Sequence, residues 1–207
     1  MAAAFGQFAV VTVLVLVVLV AGCTHYAALP AGNFDVHGKL IVSLDRIWSR
    51  QVEGPSRIWP ETWTINGPLL DSLNLAVAIE DGRPLVKIDG DAAKNFPRFR
   101  AGMAAEDIVG LVQSTLAVTL KAGDFEARTI APERVAGHDG VRFEFTFGTG
   151  TAGEGLETDR HAVGVAFEAD RRLYLILFHA AELHYFPELR GAAEAVIASA
   201  RLPGKSG

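Results

Sequence analysis

Strict alternation of apolar and polar residues dominates the second half of the chain. Over residues 141–147 every apolar side chain, Phe145 among them, falls on one parity, and a period of two returns over residues 158–169. Residues 173–180 are then apolar on both parities until His179. A period of two predicts a strand with one buried face, and an apolar run on both parities predicts a central strand covered on both sides. The chain is therefore expected to fold around an antiparallel sheet.

Two segments instead follow the period of a helix. Residues 104–121 carry an apolar ridge at every fourth position from Ile108 to Leu120, and residues 187–201 begin with Pro187, which suits a first helical position. Further strands are expected over residues 39–44, 62–65, 69–79 and 125–131. The order of strands, helix, strands and helix predicts an α+β fold, an antiparallel twisted sheet of about six strands with two main helices packed against it.

The composition limits the size of the fold and its partners. A length of 207 residues suits one domain, and 19 Lys and Arg against 24 Asp and Glu give a net charge of -5. A protein that binds nucleic acid needs a basic face, so no nucleic acid partner is expected. The single Cys excludes an intrachain disulfide framework and any multi-cysteine metal site.

The start of the chain predicts its location. Residues 8–21 form an apolar run that is short for a membrane span and suits the core of a signal peptide. The run ends in Val20-Ala21-Gly22-Cys23, which resembles the lipobox of bacterial lipoproteins. The resemblance implies cleavage after Gly22 and a diacylglycerol on the sulfur of Cys23, which would attach the protein to a membrane.

Two alternatives stay open for this segment. Because no Lys or Arg precedes the apolar run, residues 2–21 can instead remain as an uncleaved anchor, and the third alternative is a free secreted protein. All three place the domain outside the cytoplasm, on the periplasmic side of the cell envelope. Thr24 stands where the inner-membrane retention signal has Asp, and this difference favours the outer membrane.

The chain is expected to divide into three parts. Residues 1–22 form the signal peptide, residues 23–37 form a tether that carries the lipid on Cys23, and residues 38–207 form a single globular domain. The tether is predicted because its sequence, with Pro30, has no regular periodicity.

Three short stretches carry a wider resemblance. They are the hairpin with Gly137 and Gly140, the apolar strand over residues 173–178, and the end of the closing helix at residues 199–202. These stretches look like small bacterial lipoproteins of uncharacterised function, and the order of elements over residues 38–203 resembles the PsbP-like α/β/α sandwich. Members of that group act mainly by binding other proteins. The resemblance implies a non-catalytic interaction or assembly module with an unknown envelope protein as partner and without a cofactor.

One stretch of the chain matches a motif of nucleotide-binding enzymes. Residues 148–153 read G-T-G-T-A-G, but a dinucleotide site needs a helix next, whereas Glu154 and Asp159 lead into another alternating segment. A hairpin loop is therefore expected. The chain has no G-x-S-x-G or H-E-x-x-H motif. Two carboxylates from distant positions can still meet as in glycosidases, so a carboxylate-dependent hydrolase is kept as the weaker alternative.

Histidines offer a candidate for a metal site, which would make the protein a small-molecule or metal carrier. The candidates are His161, His179 and His184. A two-residue loop before residue 172 would pair His161 with Ala180 and point His179 to the opposite face. A three-residue loop would place the two rings diagonally on one face. The sequence leaves both loops open.

Tryptophans are the candidates for a partner surface, because aromatic side chains are enriched at binding sites. Trp48, Trp59 and Trp63 fall within one stretch of the chain. The alternative is that the three indoles close the open edge of the core. A small basic patch, expected to be solvated, is formed by Lys94, Arg98 and Arg100.

Overall fold

A computed structural model describes residues 25–54, 58–150 and 158–204. Its strands are β1 His25–Leu29, β2 Gly32–Val36, β3 Leu40–Leu44, β4 Trp48–Glu53, β5 Glu61–Thr64, β6 Asp71–Ile79, β7 Ala122–Val135, β8 His138–Thr149, β9 Thr158–Ala169 and β10 Arg172–Ala181. Its helices are α1 Ala105–Leu120 and α2 Tyr185–Ala198, with a short 3-10 turn at Gly90–Ala93. The predicted α+β class with two main helices is confirmed. Over these ranges, no helix has the length and apolar character needed to cross a membrane.

Eight strands form one antiparallel sheet in the order β1-β4-β5-β6-β10-β9-β8-β7, and β2 and β3 form a separate hairpin. The sheet is therefore larger than the six strands expected. The strands that the sequence did not predict are β1, β2 and β4. They are five or six residues long and lack a clean alternation, because most of their side chains are exposed or only half-buried.

The segment expected to be an irregular tether is folded. β1 pairs with β4 along its length, and β2 pairs with β3. Leu29 and Val36, the last residues of β1 and β2, are buried in the core and hold both strands in place. The tether prediction is thus wrong from His25 onward, where the described residues form strands.

A separate hydrophobic core lies on each face of the sheet. α2 and the β2–β3 hairpin cover one face, where Trp63 and Phe178 are buried. α1 and the segment over residues 80–104 cover the other face, where Phe143 and Phe145 are buried. Because each face of a sheet must be shielded from water, this arrangement gives three layers, helix and hairpin, sheet, then helix and loop.

The middle of the sheet is covered on both sides. β10 lies between β6 and β9, and its neighbours Ile176 and Leu177 are fully buried on opposite faces, as predicted. The alternation of apolar residues over residues 69–79 predicts a half-buried strand, whereas residues 71–76 of β6 are buried on both parities. The polar residues Ser72 and Asn74 on the second parity made this strand look half-exposed in the sequence.

A two-residue turn sets the register of β9 and β10. Asp170 and Arg171 have φ of 49° and 59°, which is the conformation of a type I′ turn. The turn pairs Ala180 with His161. Since neighbours along a strand point to opposite faces, His179 faces the other side of the sheet. The prediction from a two-residue loop is therefore confirmed, and the prediction from a three-residue loop is wrong.

Candidate functional site

The three indoles do not form a surface. Trp48 and Trp63 are fully buried in the core under α2, while Trp59 is 5% exposed in the core under α1. The sheet thus separates Trp59 from the other two. Trp63 also donates its indole N–H to the buried carboxylate of Glu61 at 3.0 Å. All three indoles close the cores, so the prediction of a partner surface at these residues is wrong.

His179 belongs to a buried polar network. Its ring is almost inaccessible to solvent, and Arg160 donates through Nε to its Nδ1 at 3.1 Å. Its Nε2 lies 3.2 Å from the side-chain amide of Asn74, which contacts the hydroxyl of Thr62. Arg160 also donates to the Leu69 carbonyl oxygen at 2.7 Å. The network links β5, β6, β9 and β10 at one end of the sheet.

The guanidinium of Arg160 fixes the tautomer of His179. A guanidinium can only donate, so Nδ1 accepts and the proton of the neutral ring is on Nε2, on the side of the Asn74 amide group. Burial, and then the charge of Arg160, lower the pKa of His179 well below its ordinary value of 6.5. Burial also lowers the pKa of Arg160 to about 10, while Asp71 opposes that change. His179 therefore has no free lone pair to offer a metal.

His161 contacts groups on the opposite face. Its ring stacks on Phe186 with 3.8 Å between the centroids, and its Nε2 lies 2.7 Å from Glu144 Oε1. Arg190 of α2 donates to the two oxygens of the same carboxylate at 3.1 and 2.8 Å. Burial lowers the pKa of His161, and Glu144 opposes the change. These contacts hold the start of α2 against β8 and β9.

The third histidine stands apart from the other two. The side chain of His184 is 75% exposed, and its Nε2 lies 3.4 Å from Glu188. His161 and His179 are on opposite faces of the sheet, so the three rings do not converge on one point. Within the ranges that the structure describes, no group of three His, Cys, Asp or Glu side chains is placed to hold a metal ion.

These buried histidines predict a loss of stability in acid. The unfolded chain binds a proton on each ring near pH 6.5, whereas the folded state holds the pKa of His179 far lower. The unfolded state then binds more protons, so the free energy of unfolding falls as the pH drops below 6.5. Each such group contributes a slope approaching about 1.4 kcal/mol per pH unit. Urea melts across this pH range should show the loss. H179Q should give a flatter profile than the control H184Q, and identical profiles would contradict the assignment.

The glycine-rich segment joins two strands. Gly148 and Thr149 end β8 and pair with Asp159 and Thr158 of β9. Residues 151–157, which complete the motif, lie outside the described ranges. The next described residue begins a strand, which agrees with the expected hairpin and differs from the helix N-terminus that a dinucleotide requires.

Two cations of the basic patch serve the loop that carries them. Arg98 donates to the carbonyl oxygens of Gly82 and Ala93 at 3.0 and 2.6 Å. Lys94 lies 2.7 Å from Asp91. These contacts order the segment that covers the core under α1.

An acidic cleft of about 390 Å³ opens where β8 and β9 meet the C-terminal end of α1. The carboxylates that line it are Asp124, Glu126, Asp159 and Glu182. A glycosidase needs one carboxyl kept protonated by apolar burial. Here Glu182 is half-buried and the other three are exposed. Among the residues that the structure describes, the cleft therefore provides no buried general acid for the hydrolase alternative.

Three exposed apolar side chains that the sequence did not predict lie at one end of the sheet. Ile47, Leu69 and Leu183, here called the apolar tip, are 66%, 85% and 96% exposed. Ile47 directly precedes β4, Leu69 lies two residues before β6, and Leu183 lies two residues after β10. The start of β4, the start of β6 and the end of β10 lie at the same end of the sheet. The backbone nitrogen of Ala181 donates to the carbonyl oxygen of Leu70 at 3.0 Å. This hydrogen bond places the backbone next to Leu69 beside the segment that leads from β10 to Leu183.

The predicted lipidation motif lies outside the described ranges. Its residues are Val20, Ala21, Gly22 and Cys23. The first described residue, His25, pairs with Glu53, while Leu29 at the other end of β1 pairs with Trp48 beside Ile47. The chain thus enters the sheet at the end of β1 that is farther from the apolar tip.

The comparisons with known proteins identify a fold. No family model and no curated protein sequence matches the chain. The solution structure of cyanobacterial PsbP (CyanoP) from Synechocystis is similar, with a TM-score of 0.51 at 11% identity, over 88% of this chain and 95% of that chain. The crystal structure of LpqN, involved in cell envelope biogenesis of Mycobacterium tuberculosis, gives a TM-score of 0.44 at 10% identity, over 86% and 91% of the two chains. The likeness to CyanoP confirms the PsbP-like fold, which does not by itself determine function.

Proposed function

We propose that the chain is a non-catalytic interaction module, held at a membrane of the bacterial envelope by lipid on Cys23, whose apolar tip binds a protein of that envelope. The observation that carries the proposal is the exposure of Ile47, Leu69 and Leu183 at one end of the sheet. Exposed apolar side chains scattered singly are common in soluble proteins, whereas a group at one place marks an interaction site.

The charges around the apolar tip indicate the chemistry of the partner. Glu182 precedes Leu183, and its backbone nitrogen donates to the Asp159 carbonyl oxygen at 2.9 Å, which places both carboxylate residues beside the tip. On the other side of the tip, Asp45 and Arg46 pair with each other at 3.3 Å. The tip is thus apolar, with two carboxylates on one side and a mutually paired Asp and Arg on the other. This favours a partner with an apolar groove bordered by Lys or Arg, because complementary charges direct encounter and suppress wrong partners.

The anchor strengthens such a contact. Confinement of two proteins to one membrane raises their effective concentration, so a contact of small area is sufficient there although it would be weak in dilute solution. The position of Cys23, two residues before β1, supports an anchor that leaves the apolar tip accessible.

Photo-cross-linking in cells tests the apolar tip. We expect a photo-reactive residue at Leu183 or Leu69 to give one defined product with an envelope protein, and the same residue at Ile130 on β7 to give none, although Ile130 is 39% exposed. L69D with L183D should abolish cross-linking from Ile47 while changing stability by less than about 0.5 kcal/mol, because both side chains are exposed. Equal yields from Leu183 and Ile130 would contradict the proposal.

The anchor has its own control. The intact mass of detergent-extracted protein should correspond to a chain that begins at Cys23 and carries acyl groups. C23A should remain unmodified and lose most of the cross-linking from Leu183. An unmodified wild-type chain that still begins at Met1 would remove the lipid from the proposal, and unchanged cross-linking in C23A would remove the anchor from the mechanism.

A further inference from the structure

Asp71, the first residue of β6, holds the start of the loop that carries Leu69. This loop joins β5 to β6 over residues 65–70 and is here called the Leu69 loop. The two oxygens of the Asp71 carboxylate accept at 2.7 Å from the backbone nitrogens of the first two loop residues. One of these oxygens also accepts from the hydroxyl of Thr64 at 3.0 Å. Because the carboxylate is fully buried, these donors replace the water that it lost on folding.

Arg160 holds the other end of the Leu69 loop from inside the sheet. This residue of β9 is almost inaccessible to solvent, and its guanidinium donates to the carbonyl oxygen of Leu69 at 2.7 Å. Its Nε donates to Nδ1 of His179 at 3.1 Å, which fixes the plane of the guanidinium. The next carbonyl oxygen of the loop, that of Leu70, accepts from the backbone nitrogen of Ala181. Two strands that are distant in sequence therefore set the path of the loop backbone.

The Leu69 loop combines a fixed backbone with an exposed side chain. Beside Leu69, the backbone nitrogen of Leu70 donates to the carbonyl oxygen of Gly67 at 2.9 Å. The hydroxyl of Ser72 donates to the carbonyl oxygen of Pro68 at 3.3 Å. Leu69 itself is 85% exposed. A loop that only joins two neighbouring antiparallel strands needs no buried guanidinium, and burying a charge is unfavourable unless it is paired and hydrogen-bonded. The restraint on this loop therefore points to the surface that the loop presents.

We infer that Arg160 and Asp71 are positioning residues of the apolar tip, which hold the Leu69 loop in the conformation that the partner binds. The inference rests on the binding role of the apolar tip in the proposed function. Both side chains are buried, so they act on the partner through the backbone of the loop. Leu69 is then a preformed anchor for an apolar pocket that accepts one leucine side chain. Binding by an ordered loop loses less conformational entropy than binding by a mobile one, which strengthens a contact of small area.

The chemistry of the guanidinium suits this role. Burial lowers the pKa of Arg160 to about 10, and the negative charge of Asp71 favours its charged form, so it stays charged at neutral pH. A guanidinium carries its donors on three nitrogens in one plane, and here it reaches Leu69 and His179 at the same time. Lysine has all its donors on one nitrogen and does not span both acceptors in this way. Replacement by lysine should therefore preserve the positioning only in part.

Nitrogen-15 relaxation of the full chain in mild detergent tests the positioning without a partner. R160M keeps much of the length of the side chain but cannot donate to the Leu69 carbonyl. We expect the backbone order parameters of residues 66–70 to fall from about 0.85 in the wild type to below about 0.6 in R160M, with R160K between them. F145A is the matched control, because it lowers stability without touching the loop and should keep the wild-type order parameters there. If R160M does not fold, D71N provides the second variant, since an amide has one acceptor oxygen where the carboxylate has two.

Photo-cross-linking in cells then tests what the positioning does. The photo-reactive residue is placed at Ile47, which belongs to the apolar tip but lies outside the Leu69 loop. We expect R160M to lower the yield of the product with the envelope protein several-fold, and R160K to restore part of it. F145A should leave the yield unchanged when it is compared at equal amounts of folded protein.

The outcomes separate this inference from the proposed function. Wild-type order parameters in the loop of R160M, or of D71N where R160M does not fold, would show that these side chains do not position it, and would overturn the inference alone. A mobile loop with an unchanged yield from Ile47 would show that the partner does not need the fixed conformation, and would also overturn the inference alone. Wild-type protein that gives no product from Ile47, Leu69 or Leu183 would overturn the binding role of the apolar tip and this inference with it.

Discussion

Replacing Phe145 with Ala should lower the free energy of unfolding by roughly 3–5 kcal/mol. The side chain is fully buried on β8, and its ring centroid lies 5.8 Å from those of Phe125 and Phe143. Its removal takes away a large apolar surface and leaves a cavity in the core under α1 that the flanking strands can close only in part. Urea melts of protein in mild detergent measure the loss.

The matched control is the next residue. Thr146 points to the opposite face and is a small side chain, so T146A should cost about 1 kcal/mol, in the ordinary range for a single substitution. Equal losses in F145A and T146A would show that Phe145 does not face the core as assigned.

A second large effect is expected from adding one carbon atom to Gly164, at the middle of β9. A Cβ there would lie 2.6 Å from Cζ of Phe143 and 2.9 Å from the carbonyl oxygen of Ile176. The Phe143 ring covers this glycine, and the Ile176 carbonyl belongs to the adjacent strand β10, so neither can withdraw without disturbing the core or the pairing. G164A should destabilise the fold by about 3 kcal/mol, at the upper end of the usual cost of overpacking.

Gly191 provides the opposite control. It lies within α2, and a Cβ added there would meet nothing within 4 Å. G191A should raise the free energy of unfolding by about 0.5–1 kcal/mol, because alanine loses less backbone entropy than glycine when a helix forms. A neutral or stabilising G164A would contradict the close packing of β9 beneath Phe143.

Long periodic segments were predictable. β9 spans Thr158–Ala169 as expected, and α1 and α2 differ from their predicted ranges by one to three residues at each end. In each of these segments the period recurs several times, so local pattern and burial agree. β1, β2 and β4 could not be found in this way because they are short, and partners distant in sequence decide which of their residues are buried.

The candidate site was less predictable than the fold. The sequence left the indoles open as a partner surface or as part of the core, and only the positions of the two layers show that Trp48, Trp59 and Trp63 are buried. One signal for the apolar tip was present, since Asn66-Gly67 is a turn and Leu69 follows it too closely to lie in the strand. Leu183 had no such signal.

The sequence by itself determined that the chain forms an antiparallel sheet with two helices and a PsbP-like order of elements, because strand and helix periods are properties of neighbouring residues. Only the tertiary structure decided which face each side chain occupies and what covers it. The two-residue turn at Asp170 and Arg171 separates His161 from His179, and the guanidinium of Arg160 then occupies the lone pair of His179. A period of two shows that one face of a strand is buried, but the partner that buries this face comes from elsewhere in the chain.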